Sequence, residues 1–340
     1  MAAIAKVTVA MEQAFQDVIE FISGAENDFG DFKVDTRTLT RQTAPKAKTM
    51  TIPVKRVGKA VEYTGTYSGT GTTHDVEAFI YDRDFNNVDK YDPKVFGDVC
   101  ETEQSVLMEA ATMYEQAEKE EIPKICINAL CKGAGRKVVK TDGDLTPSNA
   151  YEIFTEIVSM ITNTDKTVAN DYSTKAQNIV CFMSDRFHAL LKTANKNNGL
   201  IVAGATPRIE NNNIVSLDGV EIRVQDNGIM YDAYEKDVDG VFNPKADANE
   251  VDLIFVPRNT VGNITFLWDT QYVKIVNSMG VDGDYINRGY RATAGAKVIN
   301  LKKANVVTLT RGTVAGTTVE QSVAATGRTV TAKRTDALVE

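Results

Sequence analysis

Residues 46–132 constrain this chain most: a polar, β-prone stretch from Lys46 to Asp92 runs into a long helical pattern with no linker between them. Alternation predicts strands at Met50-Thr51-Ile52-Pro53-Val54-Lys55-Arg56-Val57, at Val61-Glu62-Tyr63-Thr64-Gly65-Thr66-Tyr67 and at Val76-Glu77-Ala78-Phe79-Ile80-Tyr81. These runs carry too much Gly, Thr and charge to close a core of their own. A two- or three-stranded projection is marginal in water unless it lies on another surface. If a neighbouring copy supplies that surface, the chain is a building block.

The helix predicted next starts near Gly97-Asp98, with Asp98 as N-cap and Glu101 three residues on, a capping-box pattern. Val99, Val106, Ala110, Met113 and Ala117 recur at helical spacing, and Ile122, Ile125, Ala129 and Leu130 resume it after Glu118-Lys119-Glu120-Glu121. Pro123 should kink this helix or begin a second one. A helix of about 33 residues would span roughly 50 Å, a strut more than a packing element of a small domain.

At 340 residues the chain exceeds what one core usually serves, roughly 250–300 residues, so two cores or one body with arms are expected. The formal charge of −8 leaves no basic stripe for gripping a phosphate backbone, which limits any nucleic-acid contact to non-specific containment. Thr8, Glu12, Gln13 and Gln16 interrupt any signal-peptide apolar region, and no run approaches the roughly 18 apolar residues of a membrane span. A chain kept in a cytoplasm, without membrane contact, is expected. Cys100, Cys126, Cys131 and Cys181 are scattered among apolar neighbours and read as buried free thiols.

Along the rest of the chain, Val9 to Ile22 forms an amphipathic helix pattern, and Glu26 to Ala44 reads as a polar, extended arm. The segment Asp82-Arg83-Asp84-Phe85-Asn86-Asn87 reads as a bend, and Gly133 and Gly135 mark a turn. Pro147-Ser148 opens a helix with Tyr151, Phe154, Ile157, Val158 and Ile161 on one face. Ile179 to Met183 and Val251 to Pro257 are buried strands, and Ser184-Asp185 caps a helix from Arg186 to Lys192. Glu210-Asn211-Asn212-Asn213 reads as a flexible stretch, whereas Leu217-Asp218-Gly219-Val220 signals a two-residue hairpin. Ile264 to Trp268 with Tyr272 to Val276 reads as a strand pair, and Ala296 to Ile299 as a last apolar strand. From Val306 onward the Thr-, Val-, Ala- and Gly-rich text reads as an exposed β tail.

Chemistry is poorly represented. The two histidines, His74 in a Gly/Thr turn and His188 on the helix after Ser184, lack the context of a triad. Gly65 to Gly71 and Gly133-Ala134-Gly135-Arg136-Lys137 do not match phosphate-loop spacing. The acidic turns at Asp142-Gly143-Asp144, Asp237-Val238-Asp239-Gly240 and Asp282-Gly283-Asp284 lack the later bidentate Glu of a calcium loop. No catalytic, metal or cofactor-binding residue is assigned, no cofactor is expected, and the chain is read as a non-enzyme.

Three stretches carry a resemblance: Asn178-Ile179-Val180-Cys181-Phe182-Met183-Ser184-Asp185-Arg186-Phe187, Leu217-Asp218-Gly219-Val220-Glu221-Ile222-Arg223-Val224, and Tyr290-Arg291-Ala292-Thr293-Ala294-Gly295-Ala296-Lys297-Val298-Ile299-Asn300. Together with the order of parts, they resemble the major capsid proteins of tailed bacteriophages with the Hong Kong 97-type fold. The resemblance implies an α+β fold divided as N-terminal helix and arm (1–45), extended β loop (46–94), peripheral domain with spine helix (95–146), axial domain (147–262), returning peripheral strands (263–305) and C-terminal β tail or arm (306–340). It further implies a shell subunit that self-assembles through pentamers and hexamers into an icosahedral capsid around packaged double-stranded DNA. A virion location follows, with host cytoplasm during assembly.

The partners so implied are sister copies, a portal, a separate scaffolding protein and, as an optional addition, a decoration protein. A scaffolding protein encoded apart is expected because only about 45 residues precede the loop. Candidate intersubunit contacts are Lys55, Arg56, Lys59, Tyr63 and Tyr67 on the extended loop. Some relatives cross-link a loop lysine to an asparagine; Lys55 and Lys59 lie in the right region and Asn287 is a conceivable acceptor, although no motif fixes the pairing. Two other readings stay open: an encapsulin-type nanocompartment shell, or an unrelated α/β enzyme or binding module.

Overall fold

The computed structural model describes residues 28–32, 40–41, 49–56, 73–80, 83–91, 121–140, 143, 145–162, 175–197, 199–238, 240–258, 273–280, 283–298, 306–312 and 320–321. The predicted helices at 9–22 and from Asp98 to residue 120, the strand at 61–67 and that at 264–268 lie outside this set.

Strands β1 (Thr40–Arg41), β2 (Thr49–Arg56) and β3 (Thr73–Ile80) form an antiparallel sheet of their own, with Thr49 opposite Ile80 and Arg56 opposite Thr73. Strand β4 (Arg83–Tyr91) follows, so the segment read as a bend is strand. It pairs along its whole length with a later strand, and that pairing outweighs the low β-propensity of its Asp and Asn residues. Helix α1 (Glu121–Gly133) is the described part of the predicted strut.

The body is built on an eight-stranded mixed sheet. Its strands are β5 (Arg136–Lys140), β6 (Ile179–Ser184), β7 (Pro207–Glu210), β8 (Asn213–Leu217), β9 (Val220–Gln225), β12 (Val251–Pro257), β15 (Val307–Arg311) and β16 (Glu320–Gln321), in the order β16-β5-β15-β12-β6-β9-β8-β7. Between β9 and β12 a small hairpin, β10 (Tyr234–Lys236) with β11 (Phe242–Pro244), packs Tyr234 and Phe242 into the core. Strands β6 and β12 are buried at every position, which is why both read as apolar runs broken only by Ser184 and Asp252. Val180 and Phe182 join the core under α1, whereas Ile179, Cys181 and Met183 join that under helices α2 (Ala150–Thr162) and α3 (Asp185–Lys196). A register shift in β12 between Val251 and Leu253 puts Val251 on the same face as Ile254 and Val256.

Two turns follow from backbone conformations that few residues tolerate. Asp218 (φ 51°) and Gly219 (φ 84°) make the predicted two-residue turn between β8 and β9. Asn211 (φ 47°) and Asn212 (φ 65°) do the same between β7 and β8, so the Asn-rich stretch is a tight turn and not a flexible one.

Two other expectations are corrected. Val307–Arg311, read as the start of an exposed tail, is a buried strand, parallel to β5 and antiparallel to β12. Val273–Gly280 (β13) is strand as expected and pairs with Gly283–Ala294 (β14), which in turn pairs with β4; its expected partner at 264–268 lies outside the described residues. Residues 295–298 are irregular where a strand was expected. Val298 is turned in against Gly133, and Lys297 is turned out to an ion pair.

Candidate assembly surfaces and their anchors

The first surface of interest is a short strap, residues 28–32, laid across the sheet. Strand β9 alternates: Val220 and Ile222 enter the core under α2 and α3, so Glu221, Arg223 and Gln225 face the opposite side. The strap covers that polar side. Phe29 and Phe32 are both buried; the Phe29 ring stacks on Phe182 of β6 at 4.2 Å with planes 12° apart, and Phe32 lies at 6.0 Å from the same ring.

Around the rings runs a closed set of charges. Arg223 donates through Nη2 to Asp31 Oδ2 at 2.5 Å and through Nε to Glu221 Oε1 at 2.8 Å. Arg258 donates to the same Asp31 oxygen at 3.2 Å and also to Glu221 Oε2. The Asp28 carbonyl accepts from Arg223, and its carboxylate accepts from Gln225. Burial opposes the charge on Arg223, but the hydrogen bonds to Asp31 and Glu221 outweigh it and raise its pKa. Sequence reasoning missed this strap. The available signal was Phe29 and Phe32, two aromatics three residues apart in an otherwise polar run.

Groups with chemical potential in the body are engaged in structure. Ser184 Oγ donates to Asp252 at 2.9 Å and accepts the Phe187 amide at 3.2 Å, so the hydroxyl is both helix cap and carboxylate partner. Asp252 also accepts from Arg311 Nε at 2.6 Å. Burial pushes the Asp252 carboxyl up, against the downward pull of Arg311 and Ser184. His188 is buried and its Nε2 accepts the Ile214 amide at 3.3 Å, which occupies the nitrogen a general base would use. Cys126, Cys131 and Cys181 are buried thiols outside any disulfide; burial, with Asp232 adding, pushes Cys131 up to about 12, and Cys181 is also raised well above its ordinary value. Among the described residues no group of three or more His, Cys, Asp or Glu is placed to hold a metal, and no helix is long and apolar enough to cross a membrane.

The arm sheet carries the sequence-predicted contact residues as far as they are described. Lys55 stands opposite His74 and Arg56 opposite Thr73, at the end of β2 opposite to Thr49, whose partner Ile80 leads on towards β4. Six residues separate Lys55 from Thr49, roughly 20 Å at about 3.3 Å per residue. Lys59, Tyr63 and Tyr67 lie outside the described residues, so Lys55 and Arg56 are the candidates the fold brings together. Asn287, considered as a cross-link acceptor, sits within β14 between Val276 and Lys90, not in a turn. On the arm, Val76 is 67% exposed. At the β7 end of the large sheet Ile201, Val202 and Ile209 are also exposed.

No protein-family model matches the sequence, and no curated protein matches it. Solved structures do. The asymmetric unit of the bacteriophage PhiM1 mature capsid aligns with a TM-score of 0.52 at 10% identity, over 79% of this chain and 84% of that one. The capsid of the cyanophage P-SCSP1u aligns at 0.49 and 10% identity, over 80% and 85%. The virus-like particle from Pyrococcus furiosus aligns at 0.46 and 11% identity, over 89% and 99%. At such identities the likeness to the PhiM1 subunit is one of fold: this α+β chain has a phage-capsid fold.

Proposed function

We propose that this chain is the structural subunit of an icosahedral shell that encloses packaged double-stranded DNA, a role that is mechanical and not catalytic. The observation that carries the reading is the arm: a three-stranded sheet, apart from the body sheet, on a chain with the fold of a capsid subunit. Such a projection gains little from its own core and becomes stable when a sister subunit lies beneath it. Contacts of this kind are heterologous, each copy offering an arm and receiving another, and they close into rings and then a shell.

In this reading Lys55 and Arg56 touch the neighbour below the arm, with Lys59, Tyr63 and Tyr67 in the same contact. The body meets its copies around five- and six-fold axes, where the exposed Ile201, Val202 and Ile209 provide apolar surface. A net charge of −8 favours loose enclosure of DNA over gripping it. A portal and a separate scaffolding protein complete assembly, and a decoration protein is an optional further partner.

Negative-stain microscopy with light scattering on native material tests the proposal. Uniform closed particles tens of nanometres across, containing nuclease-protected DNA, are the expected result. A monodisperse lone subunit at every concentration and in the presence of co-expressed scaffold would overturn it.

A further inference from the structure

We propose that Lys297 is a positioning residue that sets the angle at which the β1-β2-β3 arm leaves the body. The geometry stands without the shell reading; only the consequence for assembly rests on it. Strand β3 ends at Ile80, and β4 begins at Arg83, whose partner across the sheet is Ala294, the last residue of β14. The chain leaving β14 therefore enters residues 295–298 beside the root of the arm.

From there Lys297 turns back onto β3. Its Nζ lies 3.2 Å from Glu77 Oε2 and donates to the Ala78 carbonyl at 2.5 Å. One ammonium thus holds a side chain and the main chain of consecutive residues, and the main-chain contact fixes where the strand itself lies. The pair is partly shielded, with side chains 29% exposed for Lys297 and 12% for Glu77. The next residue, Val298, is buried so closely against α1 that a Cβ on Gly133 would stand 2.5 Å from its own Cβ. Residue 297 is therefore seated on the body and reaches out to the arm, giving an unbroken path of contact from α1 through Val298 and Lys297 to β3.

Leverage makes the angle matter. A change of about 10° at the root displaces Lys55 by roughly 3–4 Å over the length of β2, as much as one residue along a strand. A contact between subunits matched to single side chains does not survive such a shift.

The test places spin labels at Thr73, at the far end of β3, and at Lys132, exposed on α1, in the full-length chain with Cys100 replaced by serine. Pulsed dipolar spectroscopy of the unassembled protein is expected to give one narrow distance. Lys297→Met should lose that narrow peak, and Lys297→Arg should keep it. In assembly, Lys297→Met should lower the share of uniform closed particles while the melting temperature of the subunit stays within about 2 °C of the unsubstituted chain. An unchanged narrow distance in Lys297→Met overturns the proposal, as does a lowered melting temperature with the distance intact, which would make Lys297 a support of the fold alone. If the unsubstituted chain forms no particles, the shell reading fails while the distance measurement still decides the role of Lys297.

Discussion

Phe29→Ala separates two explanations of what holds the strap at residues 28–32: aromatic burial or the surrounding charges. Complete burial of a phenylalanine side chain is worth about 1.5–3 kcal/mol. A stacked pair such as Phe29 on Phe182, at 4.2 Å and 12°, adds about 0.5–1.5 kcal/mol beyond its area. The substitution should therefore cost about 2–4 kcal/mol in urea unfolding of the full-length chain followed by circular dichroism. The charges are worth less, because Asp31 is 50% exposed and its partner Arg258 37%, so solvent screens them. For Asp31→Asn about 0–1 kcal/mol is expected, falling further as salt is added.

Phe182→Ala provides the comparison. Phe182 stands in the middle of β6 and cannot leave, so its removal opens a cavity and should cost about 3–5 kcal/mol. The strap can detach instead, which caps the loss in Phe29→Ala at the free energy of docking. Once Phe29 is gone, Phe182→Ala should cost less than it does alone, by the coupling of the stacked pair. Three results would refute this reasoning: a Phe29→Ala cost within about 0.5 kcal/mol of zero, additive losses in the double variant, or an Asp31→Asn cost exceeding that of Phe29→Ala.

Three further outcomes are expected. Gly133→Ala should destabilise by about 1–3 kcal/mol, because its Cβ would meet Val298 at 2.5 Å, and pairing it with Val298→Ala should recover part of the loss in the same urea assay. His188 is held below its ordinary value of 6.5 by burial, with Lys192 adding and Asp185 opposing; its contribution is fully present above pH 6.5 and is lost as pH falls through the lowered folded value, so His188→Gln should flatten the fall of stability on the acid side of 6.5. The double charge reversal Lys55→Glu with Arg56→Glu should leave subunit stability within about 0.5 kcal/mol and reduce the yield of closed particles seen by negative stain; an unchanged yield removes these two residues from the proposed contact.

How much of this was legible in the sequence depended on whether a residue's neighbours in the chain were also its neighbours in space. The Asp218-Gly219 turn could be read because a two-residue hairpin needs left-handed backbone that few residue pairs accept. Strands β6 and β12 could be read because burial on both faces leaves Ser184 and Asp252 as their only polar positions. By contrast, β15 reads Val-Thr-Leu-Thr-Arg, the alternation of a half-exposed strand, yet Thr308 and Thr310 are buried as fully as valines would be. Only its partners β5 and β12, more than 50 residues away, reveal that it is central. The same holds for β4, whose Asp and Asn residues read as a bend until β14 lies beside it. Within the candidate contact, Lys55 and Arg56 were placed on a strand correctly. The strap was missed because its Phe29–Phe182 partnership spans more than 150 residues.

The same long-range pairing bears on why the arm has a defined root at all. A hairpin joined to a body by its two chain ends alone has no fixed direction, because loop segments carry little torsional resistance. Here the strand that follows the arm is locked along its length to β14, and the residues that follow β14 return to clasp the arm itself. Chain entropy is thus spent on ordering one sheet, β13-β14-β4, and that sheet then orients another at the cost of a single lysine. A subunit that has to present its arm to a neighbour at a set angle gains from this arrangement, since the ordering is complete before the neighbour arrives and does not weaken the contact when it forms.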